Sequence, residues 1–283
     1  MDLVVNGRQI KAKMNEHHLT DPADWGSEGM TQPVMICLLG NFRLMQGGEL
    51  VPIRAGGKSE ALLAYLGLHH GRRVPRERLV QALWPDSDLT LGLNSLNNVV
   101  YNLHKLLGPA LHGAAPVLHE EGYYQLNVAA GIGVDVDYFD TLVETGDRRS
   151  RAGNPTEAVT AYHRAVDLYR DDLYLSPDPQ SIVERERLRA RYLRVLAQLA
   201  DHYYQANDYT AALKYIWQLL GRDSCREDAH RLVMRCYVRR GERAAALRHY
   251  QVCVDLLRDQ LDVAPEPATV ALVEQIRLNP DRI

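Results

Sequence analysis

The sequence of 283 residues has no C-x-x-C pair, no apolar run near the ~20 residues of a membrane span and no excess of positive charge. Each absence removes a class of function. Cys37, Cys225, Cys236 and Cys253 stand apart, and the only histidine close to any of them is His249 beside Cys253. Zinc and dithiol chemistry therefore lack their ligand spacing, and buried free thiols in a reducing compartment are expected. No apolar stretch followed by small residues opens the chain, so a cytoplasmic protein without signal peptide or membrane partner is expected. The formal net charge of −3 excludes a globally polybasic nucleic-acid binder but not a local basic patch. No G-x-x-x-x-G-K-[ST] phosphate loop is present; "GGKS" at Gly56–Ser59 lacks the first glycine at the right spacing. No nucleophile elbow, zinc pair or acid–base spacing emerges, so neither catalysis, a cofactor nor a metal is expected. What remains, at 46% hydrophobic and 24% charged, has the composition of a folded chain with room for two domains.

The pattern divides the chain into three segments. Residues 1–33 carry Asp21-Pro22, Gly26, Gly29 and Pro33 without a sustained period and read as a poorly ordered arm with a short strand at Leu3–Val5. From Val34 the apolar runs "VMICLLG", "NFRLM" and "LVPI", separated by Gly40-Asn41 and Gly47-Gly48, read as a small antiparallel sheet. A helix over "KSEALLAYLGLHHG" ends at Gly71, a second begins with Pro75 in its first turn and stops at Pro85, and a third covers Leu91 to Gly108. "PVLHEEGYYQLNV" reads as a hairpin turning at Glu120–Gly122, with Tyr123 or Tyr124 on the core and the other facing outward with His119. Strands, three helices and a hairpin are the order of a winged helix-turn-helix with an N-terminal sheet, here over residues 34–134, whose third helix belongs in a major groove.

Residues 135–283 read as helical and repetitive. Tyr203 recurs as Tyr237, Ala212 as Ala246 and Leu213 as Leu247, each 34 residues later, and "NDYTAALKYI" parallels "GERAAALRHY". A third copy, "NPTEAVTAYH" at Asn154–His163, precedes the first by 54 residues, across a break at Pro177 and Pro179. A 34-residue period with small residues at the helix crossing and an aromatic four later is tetratricopeptide-like. The fold class expected is mainly α with a small β component: a winged helix-turn-helix followed by an all-α tetratricopeptide-like domain.

From Val34 to about Gln275 the chain resembles the Streptomyces antibiotic regulatory proteins, in which an OmpR-type DNA-binding domain precedes a bacterial transcriptional activation domain. The resemblance rests on "LLGNFRL", "GGKSEALLAYLGLHHGRRVPRERLVQALWPD", "GYYQLN" and, most specifically, "AALRHYQVCVDLLRDQLDVAPEPATVALVEQI". It implies an activator that binds double-stranded promoter DNA and recruits RNA polymerase.

The third helix departs from that pattern. Leu96, Val99, Val100, Leu103, Leu106 and Leu107 fall in a stripe about 120° wide, while Asn94, Ser95, Asn97, Asn98, Tyr101, Asn102, His104 and Lys105 occupy the rest. Relatives often carry arginine here; this chain keeps a single lysine. Asparagine is a poor helix former, so a merely solvated face would not favour four of them. An amide instead pairs bidentately with adenine in the major groove. Asn94, Asn97 and Asn98 are the expected base contacts, Tyr101 a contact to a sugar or a thymine methyl, Asn102 a further DNA-binding residue and Lys105 a phosphate contact. Lys58 at the start of the first helix and Arg72, Arg73 and Arg76 at the turn before the second are the expected backbone contacts. Residues 34–134 hold eight Lys/Arg against seven Asp/Glu, a weak excess, so binding by two copies on DNA or with a partner fits better than a strong monomer. The competing reading is a regulatory adaptor that keeps the fold and binds protein.

In the helical half, "ERERLRARYLR" at Glu184–Arg194 reads as an ion-paired surface with i,i+3 and i,i+4 neighbours, with an acidic partner as the alternative. Tyr203, Tyr204, Tyr209, Tyr215 and Trp217 read as packing between repeats. A concave array of this kind suits a small-molecule or protein effector, for which no motif is present.

Overall fold

In the computed structural model, residues 32–174 and 180–283 are described. Residues 1–31 of the expected arm, with its strand at Leu3–Val5, and the break at Pro177 and Pro179 lie outside them. The chain forms two compact units. One comprises residues up to Ile36 and Arg43–Gly133; the other takes Cys37–Phe42 together with Val134–Ile283.

The first unit holds two small sheets and three helices. Strands β1 (Val34–Cys37), β2 (Arg43–Gln46), β3 (Glu49–Leu50) and β7 (Ile132–Val134) form one sheet in the order β3-β2-β1-β7. Met45 pairs with Leu50 and Gln46 with Glu49, so Gly47-Gly48 is a two-residue hairpin loop. Both glycines have positive φ, 56° and 91°, the requirement of a type I′ turn. The "LVPI" strand of the sequence reading is cut to two residues: Val51 donates once more to Leu44, and Pro52 has no N–H to continue the ladder.

Helix α1 (Lys58–Leu68) is buried from Leu62 to Gly67 and ends about a turn before Gly71, which adopts φ +71° in the following turn. Helix α2 (Arg76–Leu83) is preceded by a strand the sequence did not suggest, β4 (Val74–Pro75), so Pro75 caps α2 from outside its first turn. The β4 strand pairs with β6 (Tyr123–Leu126), which pairs with β5 (Val117–Glu120), and Glu121-Gly122 form the hairpin loop with φ of 50° and 82°. Helix α3 (Leu89–Leu107) is capped by Asp88, whose carboxylate accepts from the Thr90 N–H at 2.8 Å. A Cβ on Gly92 would lie 2.2 Å from Val80 Cγ1, so α2 and α3 cross where only glycine fits.

The second unit is a run of helix hairpins: α4 (Asp135–Arg151) with α5 (Pro155–Leu168), α6 (Gln180–Gln205) with α7 (Tyr209–Arg222), α8 (Glu227–Arg239) with α9 (Arg243–Leu261), closed by α10 (Pro267–Leu278). Each hairpin turns the same way. Gly153, Asn207 and Gly241 take φ of 76°, 62° and 78°. Asn154, Asp208 and Glu242 then donate their N–H groups to Arg149, Tyr203 and Tyr237 carbonyls at 3.0, 2.9 and 2.8 Å. The sequence copies are thus one structural unit repeated. Ala158, Ala212 and Ala246 are buried as the period requires, and Ala246 packs with Met234, Leu272, Val273 and Ile276. Ala246→Leu is expected to lower stability by about 1–3 kcal/mol through overpacking, read as a lower urea midpoint. A midpoint equal to the parent's would place Ala246 at a tolerant site.

The aromatics expected between repeats divide: the tyrosine pairs join the two helices of one hairpin, and the contacts to His163 and His249 reach the neighbouring hairpins. Tyr203 and Tyr215 stack at 5.7 Å and both hydroxyls meet His163 Nε2, Tyr204 leans on Tyr209, and Trp217 meets His249 edge-on. The segment Cys37–Phe42 is stitched into this unit. The Tyr174 N–H donates to Leu38 at 2.7 Å, the Gly40 N–H to Asp172 at 3.1 Å, and the Leu38 and Leu39 N–H groups to the two oxygens of the Asp135 carboxylate at 2.7 and 2.9 Å.

Candidate nucleic-acid interface

The amphipathic reading of α3 places its groups largely where they sit. Leu96, Leu103 and Leu107 are buried with Gly92, and Val99 and Val100 are half-buried. Leu106, at the edge of that stripe, is 39% exposed, while Leu103 and Leu107 on its centre line are buried. Asn94, Asn97, Asn98, Tyr101, Asn102 and Lys105 are all exposed on one helix held by the α2–α3 crossing. Asn94, Asn98, Tyr101, Asn102, Lys105 and Arg72 have no side-chain partner among the described residues. Their polar groups face water and are free to exchange it for another hydrogen-bonding surface.

The other four assigned residues already have partners. Lys58 directs its ammonium onto the Leu83 carbonyl, an unsatisfied acceptor at the C-terminal end of α2, and lies 5.5 Å over the Trp84 ring. This also removes the lysine of "GGKS" from any phosphate-cradling posture. Arg73 reaches the Glu120 carboxylate at 3.3 Å and covers the Tyr123 ring at 5.3 Å. Arg76 donates to Glu77 at 2.8 Å, and that hydrogen bond holds the Glu77 carboxyl below its ordinary range. Asn97 accepts the Tyr124 hydroxyl at 3.1 Å.

The hairpin resolves the tyrosine pair. Tyr124 is the core residue and Tyr123 the outward one. His119 is exposed and stacks on Tyr124 at 4.2 Å with the planes 9° apart. Glu120 and Glu121 stand at the tip, but Glu120 is paired with Arg73, so one carboxylate rather than two is left to repel a phosphate. Sequence reasoning missed the Asn97–Tyr124 bond, the carboxylate partners of Arg73 and Arg76, and Gly92. Only the last left a local trace, a glycine near the start of an apolar-periodic helix.

In the helical unit the basic run of α6 is taken up across helices. Arg187 meets Asp140 at 2.6 Å and Glu184 at 2.6 Å, Arg191 meets Asp140 at 2.8 Å and Glu144 at 3.5 Å, and Arg194 meets Asp147 at 2.9 Å. The partners stand mostly on α4, not one turn along α6 as the spacing suggested. Burial pushes the Asp147 carboxyl up, but Arg194 and the Tyr162 hydroxyl outweigh it and hold it below the usual range. Single exposed pairs of this kind are worth little; a ladder along two helices fixes their register. Cys37, Cys236 and Cys253 are buried and Cys225 half-buried, none of them in a disulfide, with burial raising the Cys236 thiol to about 12 and the Cys253 thiol to about 11. No group of three metal-ligating side chains and no helix long and apolar enough to cross a membrane occurs among the described residues.

Comparison with known proteins places this arrangement. The model of the bacterial transcriptional activator domain matches residues 134–277. The regulatory protein AfsR of Streptomyces coelicolor is 27% identical over 240 residues, covering 84% of this chain and 24% of its own. The transcriptional regulatory protein MoaR1 of Mycobacterium tuberculosis is 24% identical over 252 residues, covering 86% of this chain and 79% of its own. This chain thus spans about a quarter of AfsR and most of MoaR1. The structure of Mycobacterium tuberculosis EmbR, solved in complex with a low affinity phosphopeptide, has the same fold at a TM-score of 0.69 and 22% identity, covering 89% of this chain and 68% of that one. With half of its length matched by the family model, the chain belongs to the bacterial transcriptional activator domain family.

Proposed function

We propose that the protein is a sequence-specific DNA-binding transcriptional activator. The winged helix of the first unit binds promoter DNA, and the helical unit contacts RNA polymerase or an effector. The observation that carries this reading is the exposed amide face of α3, with Asn94, Asn98 and Asn102 unpartnered beside Lys105 on the helix that a winged helix presents to the major groove. Amides in a helix are unfavourable for stability and suited to base edges, so their concentration on one exposed face supports a recognition role. Genome-wide immunoprecipitation followed by a footprint on the strongest site tests it. A protected site within a promoter supports the activator. Enrichment of protein partners without any protected DNA supports the adaptor.

The partners of Lys58, Arg73 and Arg76 change the expected salt dependence. Four phosphate contacts per protomer would give a slope of log affinity against log salt of roughly −3 to −4. With three cations already engaged, Arg72 and Lys105 are the free ones, and a slope of roughly −2 per protomer is expected. Lys105→Ala is expected to weaken all sequences alike and make that slope shallower by about one unit, whereas Asn98→Ala is expected to weaken the footprinted site by roughly 1–3 kcal/mol and leave the slope unchanged. A parent slope near zero with binding intact would remove both cations from the interface.

A further inference from the structure

The exposed amides of α3 are not equivalent. Tyr124 lies in the middle of the wing sheet at 2% exposure, paired with Val74 on one side and His119 on the other. The His119 ring lies flat on it at 4.2 Å, so its position is set from three directions. Its hydroxyl donates to Asn97 Oδ1 at 3.1 Å, while Asn97 itself remains exposed. Asn94 and Asn98 on either side have no such partner among the described residues.

We propose that Tyr124 is a positioning residue that makes Asn97 a one-sided hydrogen-bond donor and thereby sets base preference at one position of the site. This rests on the DNA-binding reading above. An asparagine amide carries its oxygen and its NH2 group on opposite sides of one planar carbon. With Oδ1 turned to the Tyr124 hydroxyl, the outward edge presents Nδ2–H. Bidentate pairing with adenine needs both, Oδ1 to accept from N6 and Nδ2 to donate to N7. With Oδ1 drawn inward by Tyr124, Asn97 offers the donor on its outward edge but not the side-by-side pair of groups that adenine needs. Its complement is a base edge that offers acceptors, guanine N7 and O6 or thymine O4, and it opposes cytosine, whose major-groove edge offers the N4 donor. Asn94 and Asn98 keep both capacities and remain suited to adenine. The wing sheet thus tunes the chemistry of the recognition helix from behind.

The test is selection of a random-sequence duplex library by the full chain, with deep sequencing, repeated for Tyr124→Phe, Asn97→Asp and Asn97→Ala. Tyr124→Phe keeps the ring and removes the O–H, and a thermal melt checks that the fold is retained. The parent is expected to enrich G or T and deplete C at one position. Tyr124→Phe is expected to gain adenine there by roughly five- to 150-fold relative to the parent. Asn97→Asp replaces the outward donor with an acceptor without touching the core and is expected to turn the same position toward C. Asn97→Ala is expected to erase the preference and make Tyr124→Phe silent in combination. If Asn97→Ala changes one position while Tyr124→Phe and the parent give identical profiles, Asn97 reads DNA unaided and the proposal is overturned. If the parent enriches no sequence, the DNA-binding reading itself fails and this inference falls with it.

Discussion

Asp135→Ala is expected to destabilise the protein by about 2–5 kcal/mol, because two buried backbone donors lose their acceptor at once. Asp135 is 0% exposed, and its two oxygens accept from the Leu38 and Leu39 N–H groups, both residues being fully buried themselves. An N–H stripped of its partner and of water costs about 1–3 kcal/mol, and alanine also leaves a void where a carboxylate stood. The carboxylate stands at the first residue of α4, where the helix N-terminus favours a negative group, so the loss reaches the start of the helical unit as well. Asp135→Asn keeps one acceptor oxygen and is expected to lose less. Urea unfolding followed by circular dichroism measures both. An alanine variant with the parent's midpoint would mean that the strap from Cys37 to Phe42 is held by its flanking backbone bonds alone.

Acid is expected to remove about 3 kcal/mol through one histidine pair. His230 Nδ1 and His249 Nε2 are 2.9 Å apart in the core of the α8–α9 hairpin, and His230 Nε2 meets the Ser224 carbonyl at 2.9 Å. A neutral pair satisfies this chain: His230 donates to Ser224 and accepts from His249. Burial, and then the neighbouring His230, push His249 down from 6.5 to about 4, and burial lowers His230 as well. Above pH 6.5 both states of the protein hold His249 neutral and its contribution is complete. As pH falls from 6.5 toward 4 the unfolded chain takes up a proton that the folded chain refuses, and stability falls with it. Below about 4 the folded form protonates too and the loss levels off. Carboxylates titrate over part of the same range, so the comparison that isolates the histidine is His249→Gln against the parent. The variant is expected to be less stable at pH 7 and to lose less on acidification. Parallel stability curves for the two proteins between pH 7 and 4 would remove His249 as the cause.

The two expectations share a feature with the interface. Lys58 stands exposed at the start of α1, Arg73 exposed just before β4 and Arg76 exposed at the start of α2, exposure that their places along the sequence suggest. Which group each side chain touches was not legible. Glu120 lies 47 residues from Arg73 in sequence, and Leu83 lies 25 from Lys58. The amide face of α3 was legible because a helix reports its own faces every 3.6 residues. That one of those amides is held by a tyrosine 27 residues away was not.

The amino-acid sequence by itself determined the helices and hairpins of the first unit and the repeats of the second. Periodic leucines set the buried side of α3, paired glycines set the Gly47-Gly48 turn, and the recurring alanines and turn residues set three hairpins of the same geometry. These are local properties, written within a turn of helix or a pair of strands, and local pattern specifies them. The tertiary structure alone decided the partners. Asp135 caps a strand end 97 residues earlier, Arg187, Arg191 and Arg194 find Asp140, Glu144 and Asp147 on another helix, and Val74-Pro75 joins the hairpin as a third strand. A charged or polar side chain has many compatible partners along a chain. Which of them it meets follows from how the apolar faces pack, and the packing brings together residues whose separation in sequence carries no period.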